Sequence, residues 1–175
     1  MRALDWLFHG GGILAAIFLA AVGLLTLAQI LGRLLGFLVP SGAEFAGFAM
    51  AASTFFALAW TLRMGSHIRV SLFVQKLQPR YRTAVEIWCL LIAAGFVGLL
   101  AYSAALMVWD SYDFGDLSTG LLAVPLWIPQ TAMALGVILL EVAIVEQLVL
   151  VLSGREPVYR RHEDAEGTAD EVMGE

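Results

Sequence analysis

The sequence predicts an all-α integral membrane protein: four transmembrane helices with a short amphipathic interfacial helix between helices 2 and 3. Three observations carry that reading. Segments 10–32, 45–62, 87–109 and 117–140 contain no Asp, Glu, Lys or Arg, and each has at least the ~18 residues that mark a spanning helix. With 60% hydrophobic and 14% charged residues, the 175-residue chain has more apolar surface than one soluble core could hide. Basic residues also collect on one side of the apolar segments.

The first span is expected over about 10–36. Arg2 precedes it, but Asp5 interrupts what would be the basic region of a cleaved signal. The apolar run also exceeds the ~7–15 residues of a signal core, with no clear small-residue cleavage site after it, so it reads as a retained helix. Pro40, Ser41 and Gly42 make a turn that cannot continue this helix, so a second span over about 44–63 should return antiparallel to it. Val70, Phe73, Val74 and Leu77 then fall at i, i+3, i+4 and i+7, with Arg69 and Lys76 largely on other faces, Ser71 as a candidate N-cap and Pro79 as a stop. That pattern predicts an interfacial helix over about 68–78 whose cations meet lipid phosphates.

The third span is expected over about 84–109 and the fourth over about 124–152. Gly115, Ser118, Thr119 and Gly120 loosen the start of the last apolar run, so its membrane part begins near Pro125, with Trp127 at the interface. Trp6, Trp60, Trp88 and Trp109 also lie toward helix ends and read as interface anchors. Gly32 and Gly36 form a GxxxG, and Gly95 with Gly98, and Ala132 with Gly136, offer small faces for close packing. Residues 1–154 thus form one membrane domain. The segment 155–175, rich in Asp and Glu, reads as a disordered, solvated cytoplasmic tail, and it holds much of the acid behind the net charge of -5.

Orientation follows from the basic residues. Arg2, Arg63, Arg69, Lys76, Arg80, Arg82, Arg155, Arg160 and Arg161 are nine of the ten Lys and Arg, and all fall on one side. Because basic loops stay in the cytoplasm, both termini should be cytoplasmic. The opposite loops carry Glu44, Asp110, Asp113 and Asp116.

Charged groups at membrane depth are costly unless partnered, and so they are the first functional candidates. Arg33 and Glu44 bracket the first turn, where an ion pair is geometrically easy and would stabilise the hairpin. Counting from Trp127 at ~1.5 Å per residue places Glu141 well inside the hydrocarbon layer. It reads as a protonated or partner-bound carboxyl facing another helix or subunit, with an ion-coupling role as the rival reading. Glu146 is nearer the cytoplasmic face.

Cys89, the sole cysteine, excludes an internal disulfide and is expected to be a buried packing residue. His9, His67 and His162 all fall at or beyond the cytoplasmic ends, which argues against haem held at midplane. No Gly-rich phosphate loop, HExxH or nucleophile triad is present. The chain reads as a non-enzyme with no cofactor, no metal site and no nucleic-acid partner. Four helices without an aqueous polar lining look like a partner subunit rather than a complete transporter.

Several motifs, in order, resemble the small membrane subunit of tripartite ATP-independent periplasmic (TRAP) transporters, the DctQ-like family. The resemblance starts at Glu44 and is sharpest in Leu62-Arg63-Met64-Gly65-Ser66-His67-Ile68-Arg69-Val70. It continues from Ser118 through Val124-Pro125-Leu126-Trp127-Ile128-Pro129 to Gly136, and covers roughly residues 5–152. Ser71 departs from the pattern, since family members often carry an acidic residue there.

The resemblance implies a bacterial inner-membrane subunit. It would work with a large membrane subunit that moves an organic acid or similar solute on a sodium gradient, and with a periplasmic solute-binding protein that delivers it. Arg33, Glu44, Arg63, His67, Arg69, Phe73, Lys76, Leu77, Pro125, Trp127 and Glu141 are the structural or interface candidates, with lipids as further partners. Two alternatives stand beside it: a stand-alone oligomeric transporter or channel coupled through Glu141, and a membrane anchor of a redox complex.

Overall fold

The computed structural model describes residues 2–63 and 79–153. Among these, four helices are long and apolar enough to cross a membrane. They are α1 (Arg2–Leu35), α2 (Gly42–Arg63), α3 (Pro79–Asp113) and α4 (Trp127–Leu152). The expected interfacial helix over 68–78 and the tail over 155–175 lie outside the described residues.

The helices are arranged as a row rather than a square. α1 packs on α2, α2 on α4 and α4 on α3, with only a slight contact between α1 and α4. α1 and α2 run antiparallel, as expected from the 40–42 turn, with His9 facing Trp60, Ala15 facing Ser53 and Gln29 beside Gly42. α3 and α4 are likewise antiparallel, pairing Tyr112 with Trp127 and Gly98 with Glu141. The middle pair, α2 and α4, runs parallel.

Both connecting segments, 36–41 and 114–126, therefore lie at one end of the bundle, where the Leu122 N–H donates to Ser41 Oγ at 2.9 Å. The start of α1 and the finish of α4 share the other end.

The core sits where α1, α2 and α4 meet. Phe8, Ala15, Phe56, Ala59, Leu139 and Ala143 form one buried cluster, and Leu90, Ile144 and Val151 form a second between α3 and α4. α4 thus has two working faces. α1 and α3 turn most of their apolar side chains outward, including Leu24, Leu34, Phe96 and Leu99. In water such surfaces would drive aggregation, whereas in lipid they are the solvent-facing side.

α1 and α3 are longer than the spans expected from composition. At ~1.5 Å per residue, their 34 and 35 residues reach about 51 and 52 Å, well beyond the ~30 Å hydrocarbon layer. α1 is helical from Arg2 rather than from residue 10. Its far end is fixed by Gly36, which takes φ +80 so that the Phe37 N–H donates to the Gly32 carbonyl at 2.9 Å. This left-handed cap satisfies carbonyls that the helix end would leave open. The Gly32/Gly36 pair is therefore a helix stop and not an interhelical contact. Gly115 (φ +65) does the same for α3, with the Asp116 N–H on the Ser111 carbonyl at 3.1 Å.

Small residues do allow close packing at Gly136. A Cβ there would stand 2.6 Å from that of Phe55, so the backbones of α2 and α4 are nearly in contact. Ser53, 8% exposed, donates from Oγ to the Ala15 carbonyl at 2.8 Å and ties α2 to α1. Cys89, expected to be buried, is exposed on α3: its position falls on the outer face, while Leu90 takes the buried place against α4.

Candidate functional site

The first polar cluster forms at the loop end, where the α2 N-terminus meets the 114–126 segment. Ser41 and Glu44 have the spacing of a capping box, in which the serine would cap its own helix and the glutamate would fold back to it. The structure uses both differently. Ser41 takes φ 53, its carbonyl accepts the Phe45 N–H at 3.0 Å, and its Oγ accepts from Leu122 instead.

Glu44 lies directly against Gly120, occupying the space that a side chain there would need. Its Oε2 is buried with no hydrogen-bond partner among the described residues. The expected ion pair with Arg33 is absent among the described residues: Arg33 is exposed on the last turn of α1, while Glu44 turns away onto the second loop.

Backbone pairing organises that second loop. The Ser118 N–H donates to the Val124 carbonyl at 2.8 Å and the Leu126 N–H to the Asp116 carbonyl at 2.9 Å, around a bridge between Leu117 and Pro125. Ser118 Oγ also accepts the Val124 N–H at 3.2 Å. Pro125 thus ends a small ladder and delivers the chain to α4, which starts at Trp127 without a side-chain cap. Pro129, in the first turn, has no N–H to satisfy there. The Trp127 ring packs edge-on against Tyr112 at 5.8 Å and joins the adjoining ends of α3 and α4.

Glu141 is the second polar feature, far down α4. Its carboxyl rests against Gly98 of α3: a Cβ on Gly98 would lie 3.4 Å from Oε1. Oε2 is buried and has no hydrogen-bond partner among the described residues. A third unsatisfied atom, Gln130 Oε1, is buried near the start of α4. Gln147 is fully buried on the same helix.

His9 stands at the opposite end of the bundle from the loops. Its Nδ1 is 2.8 Å from the Asp5 carbonyl, and its ring meets Trp60 edge-on at 4.6 Å. Arg63 is the last residue of α2, while His67, Arg69, Phe73, Lys76 and Leu77 lie outside the described residues. The structure therefore brings together Pro125 and Trp127, but it separates Arg33 from Glu44 and both from Glu141. Ser41 and Leu122 are not legible as partners in the sequence because a hydrogen bond spanning 81 positions leaves no local signature.

Comparison with curated proteins gives no match. The family model for "Tripartite ATP-independent periplasmic transporters, DctQ component" matches residues 10–154, and so takes in most of α1 and the whole of α2, α3 and α4. By that match and its four membrane-crossing helices, this multi-pass chain belongs to the DctQ component family of TRAP transporters.

Proposed function

We propose that the chain is the fixed membrane scaffold of a sodium-driven importer for an organic acid or a similar solute. It sits in the bacterial inner membrane with both termini cytoplasmic. A large membrane subunit carries the substrate and sodium sites, and a periplasmic solute-binding protein delivers the solute. The observation that carries the scaffold reading is the closed seam between the two central helices. With Gly136 against Phe55, the backbones of α2 and α4 are in close contact at that level of the bundle.

A fixed scaffold also fits a row of helices, because a row offers a long apolar edge to a neighbour. The interfacial helix over 68–78 would hold that edge level with the bilayer, and Asp110, Asp113 and Asp116, all exposed on the loop-end side, would face the binding protein.

Reconstitution into liposomes separates this reading from a self-contained transporter. The chain alone is expected to take up nothing, and the chain with its large subunit and binding protein is expected to show sodium-dependent uptake. Uptake by the purified chain alone would refute the scaffold.

A further inference from the structure

We infer that Ser41 and Glu44 form a two-position latch at the loop end of the bundle. Shut, as in this structure, they clasp the tip of the 114–126 segment; open, they release the tip and cap α2 instead. The latch goes beyond the scaffold reading and does not rest on it, because every group in it belongs to this chain.

The shut position has two points of contact. Ser41 Oγ accepts the Leu122 N–H at 2.9 Å, and the Glu44 carboxyl occupies the space over Gly120. A Cβ on Gly120 would also stand 2.8 Å from Ser41 Oγ, so both side chains converge on that one glycine. Gly120 lies outside the left-handed region, which means that it is needed for room rather than for backbone freedom.

Three features work against the shut position. Ser41 is held at φ 53, a conformation costly for a residue with a Cβ, whereas a helix N-cap takes an extended backbone. Glu44 Oε2 is buried with no hydrogen-bond partner among the described residues, so the carboxylate has left water without gaining a donor there. Lastly, Ser41 and Glu44 have the spacing of a capping box, yet the shut position turns both away from the helix that they begin.

Opening reverses all three. Ser41 returns to an extended backbone with its Oγ on the Glu44 N–H, while the carboxylate folds back to the Ser41 N–H. The bond from the Phe45 N–H to the Ser41 carbonyl, 3.0 Å, is common to both positions, so α2 itself stays in place. What opening gives up is one hydrogen bond and one close contact. Leu121 and Leu122 are exposed, so little apolar burial holds the tip down. The base of the loop remains paired through the Ser118 to Val124 and Leu126 to Asp116 bonds, which involve neither latch residue. The two positions are thus near in free energy, the condition for a switch.

Amide hydrogen exchange, followed residue by residue by NMR on the full chain in lipid nanodiscs, tests the latch. In the unaltered chain the Leu122 N–H should be less protected than those of Ser118 and Leu126, because the tip opens without the base. Gly120→Ala puts a methyl group where the carboxyl rests; it should lower Leu122 protection by about tenfold, the worth of one hydrogen bond, and raise that of the Glu44 N–H. Glu44→Leu fills similar space without a charge to bury, so it should raise Leu122 protection. Ser118 and Leu126 should be unchanged in both variants.

Unchanged Leu122 protection in Gly120→Ala would overturn the inference. So would loss at Ser118 and Leu126 together with Leu122, which would mean that the loop opens as one piece. A fall in Leu122 protection in Glu44→Leu would also refute it, by showing that the carboxylate holds the tip instead of opposing closure.

Discussion

Single atoms decide whether α2 can approach its neighbours. Leucine at position 136 would need the space where Phe55 Cβ now stands 2.6 Å from the built position. Gly136→Leu should therefore destabilise the bundle by about 1–3 kcal/mol, the usual cost of overpacking. Ser53→Ala removes the 2.8 Å bond to Ala15, and a hydrogen bond between membrane helices averages only about 0.6 kcal/mol. Thermal unfolding in detergent should thus rank Gly136→Leu well below Ser53→Ala; the reverse order would mean that polar bonding, not close contact, sets this packing.

The sequence showed Gly136 as a packing residue because a small side chain inside an apolar run has few other uses. It did not show that Glu44 would leave Arg33 for Gly120, since neighbours in sequence were the only partners that spacing could suggest. Glu141 was legible as an uncomfortable charge by depth alone, but its seat on Gly98 required knowing which helix lies beside α4.

Each helix was visible as an apolar run, while its ends depended on turn chemistry that hydropathy does not report. Gly36 illustrates the difference. As half of a GxxxG it would tolerate alanine poorly only where a partner helix touches it; as a left-handed cap at φ +80 with open space around it, it resists any side chain. Gly36→Ala should cost about 1–2 kcal/mol through the backbone conformation alone. An unchanged melting temperature would contradict the cap.

The amphipathic segment over 68–78 makes a further demand. If Phe73 and Leu77 enter the membrane, replacing both with Asp should detach the segment and weaken the assembled complex. Neutralising Arg69 and Lys76 should do less, at about 1 kcal/mol per basic residue near an anionic surface. Spin-label accessibility along residues 70–77 checks this directly: lipid exposure without a helical period would rule out the interfacial helix.

At the scale of the molecule, one question is which end faces the cytoplasm. Cysteines placed at Ser41 and Ser118 should react with an impermeant reagent from the periplasm, and one at Gln75 should not, because the basic residues gather around Gln75. Cys89 is replaced first, so that each introduced thiol is the sole cysteine of the chain. Labelling of Gln75 from the periplasm would invert the orientation.

The row order of the helices was beyond reach of the sequence. Alternating direction follows from four successive spans, whereas the choice of α2 and α4 as the inner pair involves contacts such as that of Gly136 with Phe55. Nothing in composition separates that fit from other close-packed alternatives.

That order also bears on biogenesis. The first two helices contact each other along their length, as do the last two, so each hairpin can enter the bilayer as a finished unit. The parallel seam and the Ser41 to Leu122 bond are then made afterwards, between units already inserted. A gene cut within the 64–78 connection and expressed as two polypeptides should yield halves that find each other and copurify. Overpacking the α2–α4 contact with Gly136→Leu should leave each half inserted but solitary, which would make this single glycine the coupling between two independently delivered pieces.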